Sequence, residues 1–263
     1  MKISVVITTY NRPIFFNKAY ESVLNQSVKP YEIIIINNGK VNYLNKDFEK
    51  KKIKLRIFNN KKNLFIAKAR NKGAKNSKGE YIAFLDDDDL WEKNYLKEAK
   101  KILKDKKVDI ILSKIYTNKD KKLKLFKDPN NVNLQSLLIG NSGVTGSNII
   151  IKKKKFNKVG GYKKELEPSE DKAIVVEAIL KRTKIVCSNK KVYFSLHQQK
   201  RLTSNYKKLS EGMRNFYIKY KYLMNISQRI YVKNKIYINK LKSGNLSIFP
   251  IVIIYFLLNK IFN

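Results

Sequence analysis

Residues 79–91 read GEYIAFLDDDDLW: an apolar run that stops at four consecutive aspartates. Tyr81 to Leu85 has the composition of a strand buried on both faces, because it holds no polar residue on either alternate set. The carboxylates that follow, Asp86, Asp87, Asp88 and Asp89, stand against the composition of a chain with 57 Lys and Arg and only 21 Asp and Glu. Side by side they repel one another, so a cation, hydrogen bonds or solvent must offset them.

Working outward, residues 64–76 predict a helix, with Ala67, Ala69 and Ala74 as good formers, and residues 90–104 a second one. Upstream, residues 3–7, 32–36 and 54–58 read as strands, with helical spacing over 15–25; residues 108–112 read as a further strand. Strands alternating with helices predict an α/β domain with a mostly parallel central sheet flanked by helices. Ligands bind beyond the carboxyl ends of such strands. The segments TTYN (8–11), NNGK (37–40) and DDDD (86–89) all fall there.

The second half is less regular. A strand is expected over 147–151, a glycine turn at Gly160 and Gly161, a helix over 170–181, and one or two strands over 184–196. From Lys200 onward there are 13 Lys or Arg and one acid, Glu211, with Phe216, Tyr217, Tyr220, Leu223 and Met224 on one helical face. The reading is therefore an α/β domain over 1–204 and a basic helical extension over 205–263. The apolar run 248–258 is shorter than the roughly 20 residues a spanning helix needs, and Pro250 interrupts it near its start. It either lies in a membrane interface or docks on the core. The opening MKISVVITTYNRP carries no secretory pattern, and the single cysteine, Cys187, reads as a small core residue.

Along an extended segment Asp86 and Asp88 would point one way, and Asp87 and Asp89 the other. Asp89, three residues before Glu92, reads as a helix cap. For the others, a hard divalent ion fits: Mg²⁺ or Mn²⁺ takes one or two carboxylates plus substrate phosphates. No Gly-x-Gly-x-x-Gly follows a strand and no P-loop is present, which argues against dinucleotide redox chemistry and P-loop hydrolysis.

VVITTYNRP (5–13), NLFIAKARNKGAKNSKGEYIAFLDDDDLW (63–91) and SEDKAIVVEAI (169–179) together resemble the family-two glycosyltransferases of the GT-A fold, over roughly residues 2–204. The resemblance implies an inverting, metal-dependent transferase that takes a sugar from a nucleoside-diphosphate sugar. It implies that Asp86 faces the ribose, that Asp87 belongs to the same motif, and that Asp88 binds Mn²⁺ or Mg²⁺ with His197. Thr9, Tyr10 and Asn11 correspond to the nucleoside-contact loop, and Arg70 to an arginine that reaches base or phosphate. Asn37 and Asn38 stand where relatives often carry an aspartate pair against uracil, so a UDP-sugar is the expected donor but base preference is open. Asp171, in the pair with Glu170, corresponds to the general base. Lys200 and Arg201 are expected at phosphate, and loops 141–148 and 163–169 at the acceptor.

The implied acceptor is a glycan or lipid-linked hydroxyl in lipopolysaccharide, O-antigen or capsule assembly, with the enzyme on the inner face of the cell membrane. The formal net charge of +36 predicts attraction to an anionic partner, and an anionic membrane surface fits it. Two rival readings are a basic nucleic-acid-binding protein, which leaves the acids unexplained, and a metal-dependent nucleotidyltransferase. No specific nucleic-acid partner is expected.

Overall fold

The computed structural model describes residues 1–40, 53–60, 62–105, 107–119, 122–194 and 205–262. Along β1 (Ile3–Thr9), β2 (Glu32–Asn37) and β4 (Tyr81–Asp86) the apolar side chains fall alternately into two cores. Val6, Ile34, Ile36, Ile82 and Phe84 enter one. Ile3, Val5, Ile7, Ile33, Ile35, Ala83 and Leu85 enter the other. Both faces are covered, which is why the runs show no polar alternation.

Helices α1 (Pro13–Leu24) and α3 (Tyr95–Ile102) cover the second face with Phe16, Ala19, Val23, Leu96 and Ala99. Pro13 opens α1, where a missing N–H costs nothing. The first face is covered by α2 (Ile66–Asn76), α4 (Leu134–Ile139), α5 (Lys153–Val159) and α6 (Glu170–Leu180). A Cβ added at Gly73 would lie 2.3 Å from Val6 Cγ1, so α2 sits tight against β1. This close approach brings Arg70, one turn earlier, to the end of the sheet.

Among the described residues the sheet has nine strands and is mixed, not mostly parallel as expected from the strand–helix alternation. With β3 (Lys54–Asn59), β5 (Leu90–Trp91), β6 (Ile110–Lys119), β7 (Lys122–Lys127), β8 (Ile149–Lys152) and β9 (Ile185–Tyr193), the order is β3-β2-β1-β4-β8-β6-β9-β5, and β7 also pairs with β6. The pairs β1–β2, β1–β4, β2–β3 and β6–β9 are parallel; β4–β8, β5–β9, β6–β7 and β6–β8 are antiparallel. The parallel expectation holds where helices cross over, between β1 and β4. It fails where β8 inserts between β4 and β6 from the opposite direction, because an antiparallel neighbour needs no crossover helix.

A second difference lies after the aspartates. The helix expected over 90–104 begins only at Tyr95, and Leu90 and Trp91 pair with Val192 and Tyr193 instead. Asp89 is not its cap; the cap position is Asn94. Cys187 is half-buried on β9, and burial pushes its thiol up.

Helices α7 (Tyr206–Tyr220) and α8 (Ile226–Lys242) pack onto α6: Phe216, Tyr220, Val232 and Ile236 join the same core, and the Tyr220 hydroxyl donates to Glu177 at 2.9 Å. An Asn225–Gln228 capping box starts α8. The last helix, α9 (Phe249–Phe262), contains Pro250 in its first turn rather than being broken by it. It leans on α8 through Tyr255, whose ring is 5.1 Å from that of Tyr237 and whose hydroxyl lies 3.2 Å from Lys233 Nζ. Phe249, Ile253, Ile254, Phe256 and Leu257 are exposed. Among the described residues no helix is long and apolar enough to cross a membrane.

Candidate active site

The polar ends of β1 and β4 meet. The backbone turns at Asp87 and Asp88, with the Asp89 N–H donating to the Asp86 carbonyl at 3.3 Å. The turn replaces the strict alternation expected of an extended segment. Asp86 faces Arg70, whereas Asp87 and Asp88 both meet Arg12 Nη1, at 3.4 and 3.2 Å. Asp87 also accepts from the Tyr10 N–H at 3.2 Å, so it ties the loop after β1 to the aspartates. Burial, then the charge of Asp88, pushes the Asp87 carboxyl up to about 6. Asp89 is fully buried and accepts from the Ser147 hydroxyl, which in turn accepts from the Asp86 N–H at 3.0 Å. The fourth aspartate is thus a structural bolt under the turn, held by a residue 58 positions away.

Arg70 is the centre of the site. The residue is 3% exposed. Nη2 donates to both Asp86 oxygens at 2.9 and 2.8 Å; Nη1 donates to Glu170 at 3.0 Å and Asp171 at 2.8 Å. The Tyr162 ring stacks below, 5.1 Å from Cζ. Gly146 closes the other side: a Cβ there would lie 2.0 Å from Nη2, and its N–H donates to Asp171. Burial pushes the Asp171 carboxyl up, and Arg70 opposes the rise. Burial also raises Glu170, with Asp171 adding to it.

Thr9, Tyr10 and Asn11 occupy the mouth at the end of β1. Tyr10 is exposed, a free aromatic face beside the acids. Asn11 takes a positive φ of 51°, a conformation asparagine tolerates, and its Oδ1 accepts from the Lys40 N–H at 2.7 Å. Gly39 is required there, since a Cβ would lie 2.1 Å from Asn11 Oδ1. Asn37 and Asn38, at the end of β2, are buried. Asn37 donates to Asn59 at 2.8 Å, and Asn38 accepts from Asn60 at 2.7 Å. His197, Lys200 and Arg201 lie outside the described residues.

The acids Asp86, Asp87, Asp88, Glu170 and Asp171 share two guanidiniums, Arg12 and Arg70. Their oxygens are hard donors, and the Asp87 carboxyl is raised by burial first and by the neighbouring charge of Asp88 second. The residues fit a Mg²⁺ or Mn²⁺ ion held by one or two carboxylates with other ligands from substrate. They do not form an all-protein cage: among the described residues no group of three or more His, Cys, Asp or Glu is arranged to hold a metal.

Of the two loops expected at the acceptor, 163–169 is clamped between α2 and α7: Glu167 accepts from the Ala67 N–H at 2.8 Å, and a Cβ at Gly212 would lie 2.2 Å from the Glu167 carbonyl oxygen. Loop 141–148 is anchored by Asn148, which donates to the Ser113 and Gly143 carbonyls at 2.7 and 2.8 Å. Sequence reasoning singled out neither Arg12 nor Tyr162, and reached Gly146 and Ser147 only as members of loop 141–148. Arg12 carried a signal, its place within TTYNRP beside the mouth.

The family model for glycosyl transferase family 2 matches residues 4–160. An uncharacterized glycosyltransferase of Rickettsia bellii is 42% identical over 106 residues, which is 40% of this chain and 15% of that protein. The glycosyltransferase MJ1057 of Methanocaldococcus jannaschii is 32% identical over 120 residues, 43% of this chain and 41% of its own length. The chain therefore spans well under half of these relatives. Among solved structures, Staphylococcus aureus TarS bound to UDP-GlcNAc superposes with a TM-score of 0.67 at 17% identity, covering 91% of this chain and 81% of that one. The mannosyltransferase PcManGT of Pyrobaculum calidifontis, in complex with GDP-Man and Mn²⁺, superposes at 0.61 with 13% identity, covering 99% and 84%. At such identities the likeness is one of fold, and that fold is GT-A-like.

Proposed function

The chain belongs to glycosyl transferase family 2, and on that footing we propose that it is an inverting transferase moving a sugar from a nucleoside-diphosphate sugar to a hydroxyl of a glycan or lipid-linked acceptor in cell-surface polysaccharide assembly. The observation that carries the reading is the convergence of Asp86, Glu170 and Asp171 on one buried guanidinium, with Asp171 and Arg70 101 residues apart in sequence. The donor class is proposed from the fold shared with proteins crystallised with UDP-GlcNAc and GDP-Man. A UDP-sugar is the favoured donor, with Tyr10 a face for the base.

In this reading Asp171 takes the proton of the acceptor hydroxyl as that oxygen attacks the anomeric carbon from the side opposite the leaving diphosphate. Arg70 and the Gly146 N–H hold the carboxylate in place and favour its ionised form. Arg12 braces Asp87 and Asp88. A bound Mg²⁺ or Mn²⁺, held by Asp88 with His197 from outside the described residues, would act as a Lewis acid for charge on the leaving diphosphate. Asp88→Asn weakens metal-dependent transfer by at least about tenfold while the circular dichroism spectrum stays native; unchanged transfer in that variant, or in EDTA, removes the metal from the proposal. Product analysis separates the nucleotidyltransferase alternative: free nucleoside diphosphate marks a sugar transferase, pyrophosphate from a nucleoside triphosphate the other.

The exposed face of α9 supports placement on an anionic membrane surface. Phe249 is 54% exposed on that face, and Leu246, just before the helix, 75%, beside a stretch rich in lysine. Apolar burial and about 1 kcal/mol per well-placed Lys or Arg would act together. Removing residues 246–263 abolishes most sedimentation with phosphatidylglycerol vesicles and leaves transfer to a soluble acceptor. A truncated chain that aggregates instead marks α9 as part of the core.

A further inference from the structure

Asn38 joins two segments at the carboxyl end of the sheet. Its backbone N–H donates to the Thr9 carbonyl at 2.9 Å, and its side-chain amide to the Leu64 carbonyl at 3.4 Å. In each segment the next residue is an aromatic left largely open: Tyr10 is 49% and Phe65 48% exposed. Tyr10 follows β1, and Phe65 stands at the N-cap of α2, five residues before Arg70. A helix rises about 1.5 Å per residue, so the Phe65 ring is rooted roughly 8 Å along the axis from the arginine.

On stability grounds phenylalanine is a poor residue for that position. It gives α2 no side-chain cap, where Ser, Thr, Asp or Asn would, and it leaves apolar surface in water. The ring is nonetheless held in place. Lys164 Nζ lies 3.8 Å from its centre, and Glu167, from the same loop, accepts from the Ala67 N–H at 2.8 Å. The two amides nearby are committed to the protein. Asn37 accepts from the Gly39 N–H at 2.9 Å and donates to Asn59 at 2.8 Å; Asn38 accepts from Asn60 at 2.7 Å besides donating to Leu64. Both are buried, so reading the edge of a base with them would break bonds already made. The exposed groups that flank Asn38 in the two segments are ring faces, and a ring face stacks on any base.

We propose that Phe65 is a stacking residue for the nucleobase of the donor, acting with Tyr10, and that the base is held by its faces rather than read at its edges by Asn37 and Asn38. The inference rests on the transferase reading and deepens it by naming what selects the nucleotide. A site without hydrogen-bonding groups committed to the base rejects the wrong base weakly, so UDP leads GDP by less than about tenfold.

The test is calorimetric titration of UDP, GDP and inorganic pyrophosphate into the full chain in Mg²⁺ buffer, on wild type, Phe65→Ala, Phe65→Leu, Phe65→Tyr and Tyr222→Ala, a control at an exposed aromatic between α7 and α8. Losing one stacked ring should weaken UDP and GDP alike by at least about fivefold in the Ala and Leu variants, with less than about a twofold change in Phe65→Tyr and in the control. Pyrophosphate, which has no base, should bind every variant as it binds wild type. Phe65→Leu keeps bulk against Lys164 and covers the case in which Phe65→Ala fails to fold. UDP affinity unchanged in both the Ala and Leu variants overturns the inference. So does an equal loss for pyrophosphate, which marks a disturbed mouth rather than a lost stack. A wild-type preference for UDP over GDP beyond about tenfold overturns the claim that edges are not read. Failure of all three ligands to bind wild type counts against the donor reading itself, whereas nucleotide binding that ignores Phe65 counts against this inference alone.

Discussion

Asp171→Asn binds UDP as wild type does and turns over roughly 10²–10⁴-fold more slowly, the usual loss for a general base. The substitution preserves size and can still accept from Arg70 Nη1, now at 2.8 Å from Asp171 Oδ1, and from the Gly146 N–H. Only proton acceptance is removed. Isothermal titration of UDP and steady-state transfer separate the two effects. The wild-type pH profile carries a second sign. Because burial raises the Asp171 carboxyl, the acid limb of kcat/KM should lie above the ordinary aspartate range, with activity falling as pH drops through that raised value. A variant that keeps full turnover but loses stability would make Asp171 a structural acid.

Arg70→Met destabilises the fold by about 3–5 kcal/mol, the cost of leaving buried charges without their partner. Three carboxylates lose their shared cation at once: Asp86, Glu170 and Asp171. Urea denaturation reads the loss. It should shrink at low pH, where those carboxyls are protonated and no longer need the guanidinium. Arg70→Lys retains a charge but not the fork that serves both sides, so it should fall between wild type and Met. In any folded Arg70 variant the acid limb of the rate profile moves further up, since Arg70 is what opposes the rise of Asp171. Stability unchanged in Arg70→Met would mean that the three carboxylates do not depend on this cation.

The strands and their ends were legible from the sequence because burial patterns are local. Tyr81 to Leu85 and Ile33 to Ile36 are apolar without interruption, Ile3 to Ile7 is broken only by Ser4, and the strands end within two residues of each run. The candidate acids were legible too, as departures from a composition dominated by lysine and through the family resemblance. What each acid does next to its neighbours was not. Asp89 reads as a cap when only Glu92 is in view, yet Ser147 claims it and the helix starts later. Asn37 and Asn38 are expected at the nucleotide base, and the sequence carries no record that β3 and its following residue supply a partner for each.

By itself the sequence determined which segments are buried strands, where their polar ends fall, and which carboxylates gather there. Tertiary structure alone decided that β8 enters antiparallel between β4 and β6, that Arg70 meets acids 100 and 101 positions away, and that Lys172 is buried over the Phe216 ring. The physical reason is the range of the forces involved. Periodicity and propensity act over a few residues and leave a trace in the sequence. Strand order and the pairing of buried charges follow from how whole layers close over one another, and a local window carries no record of the partner.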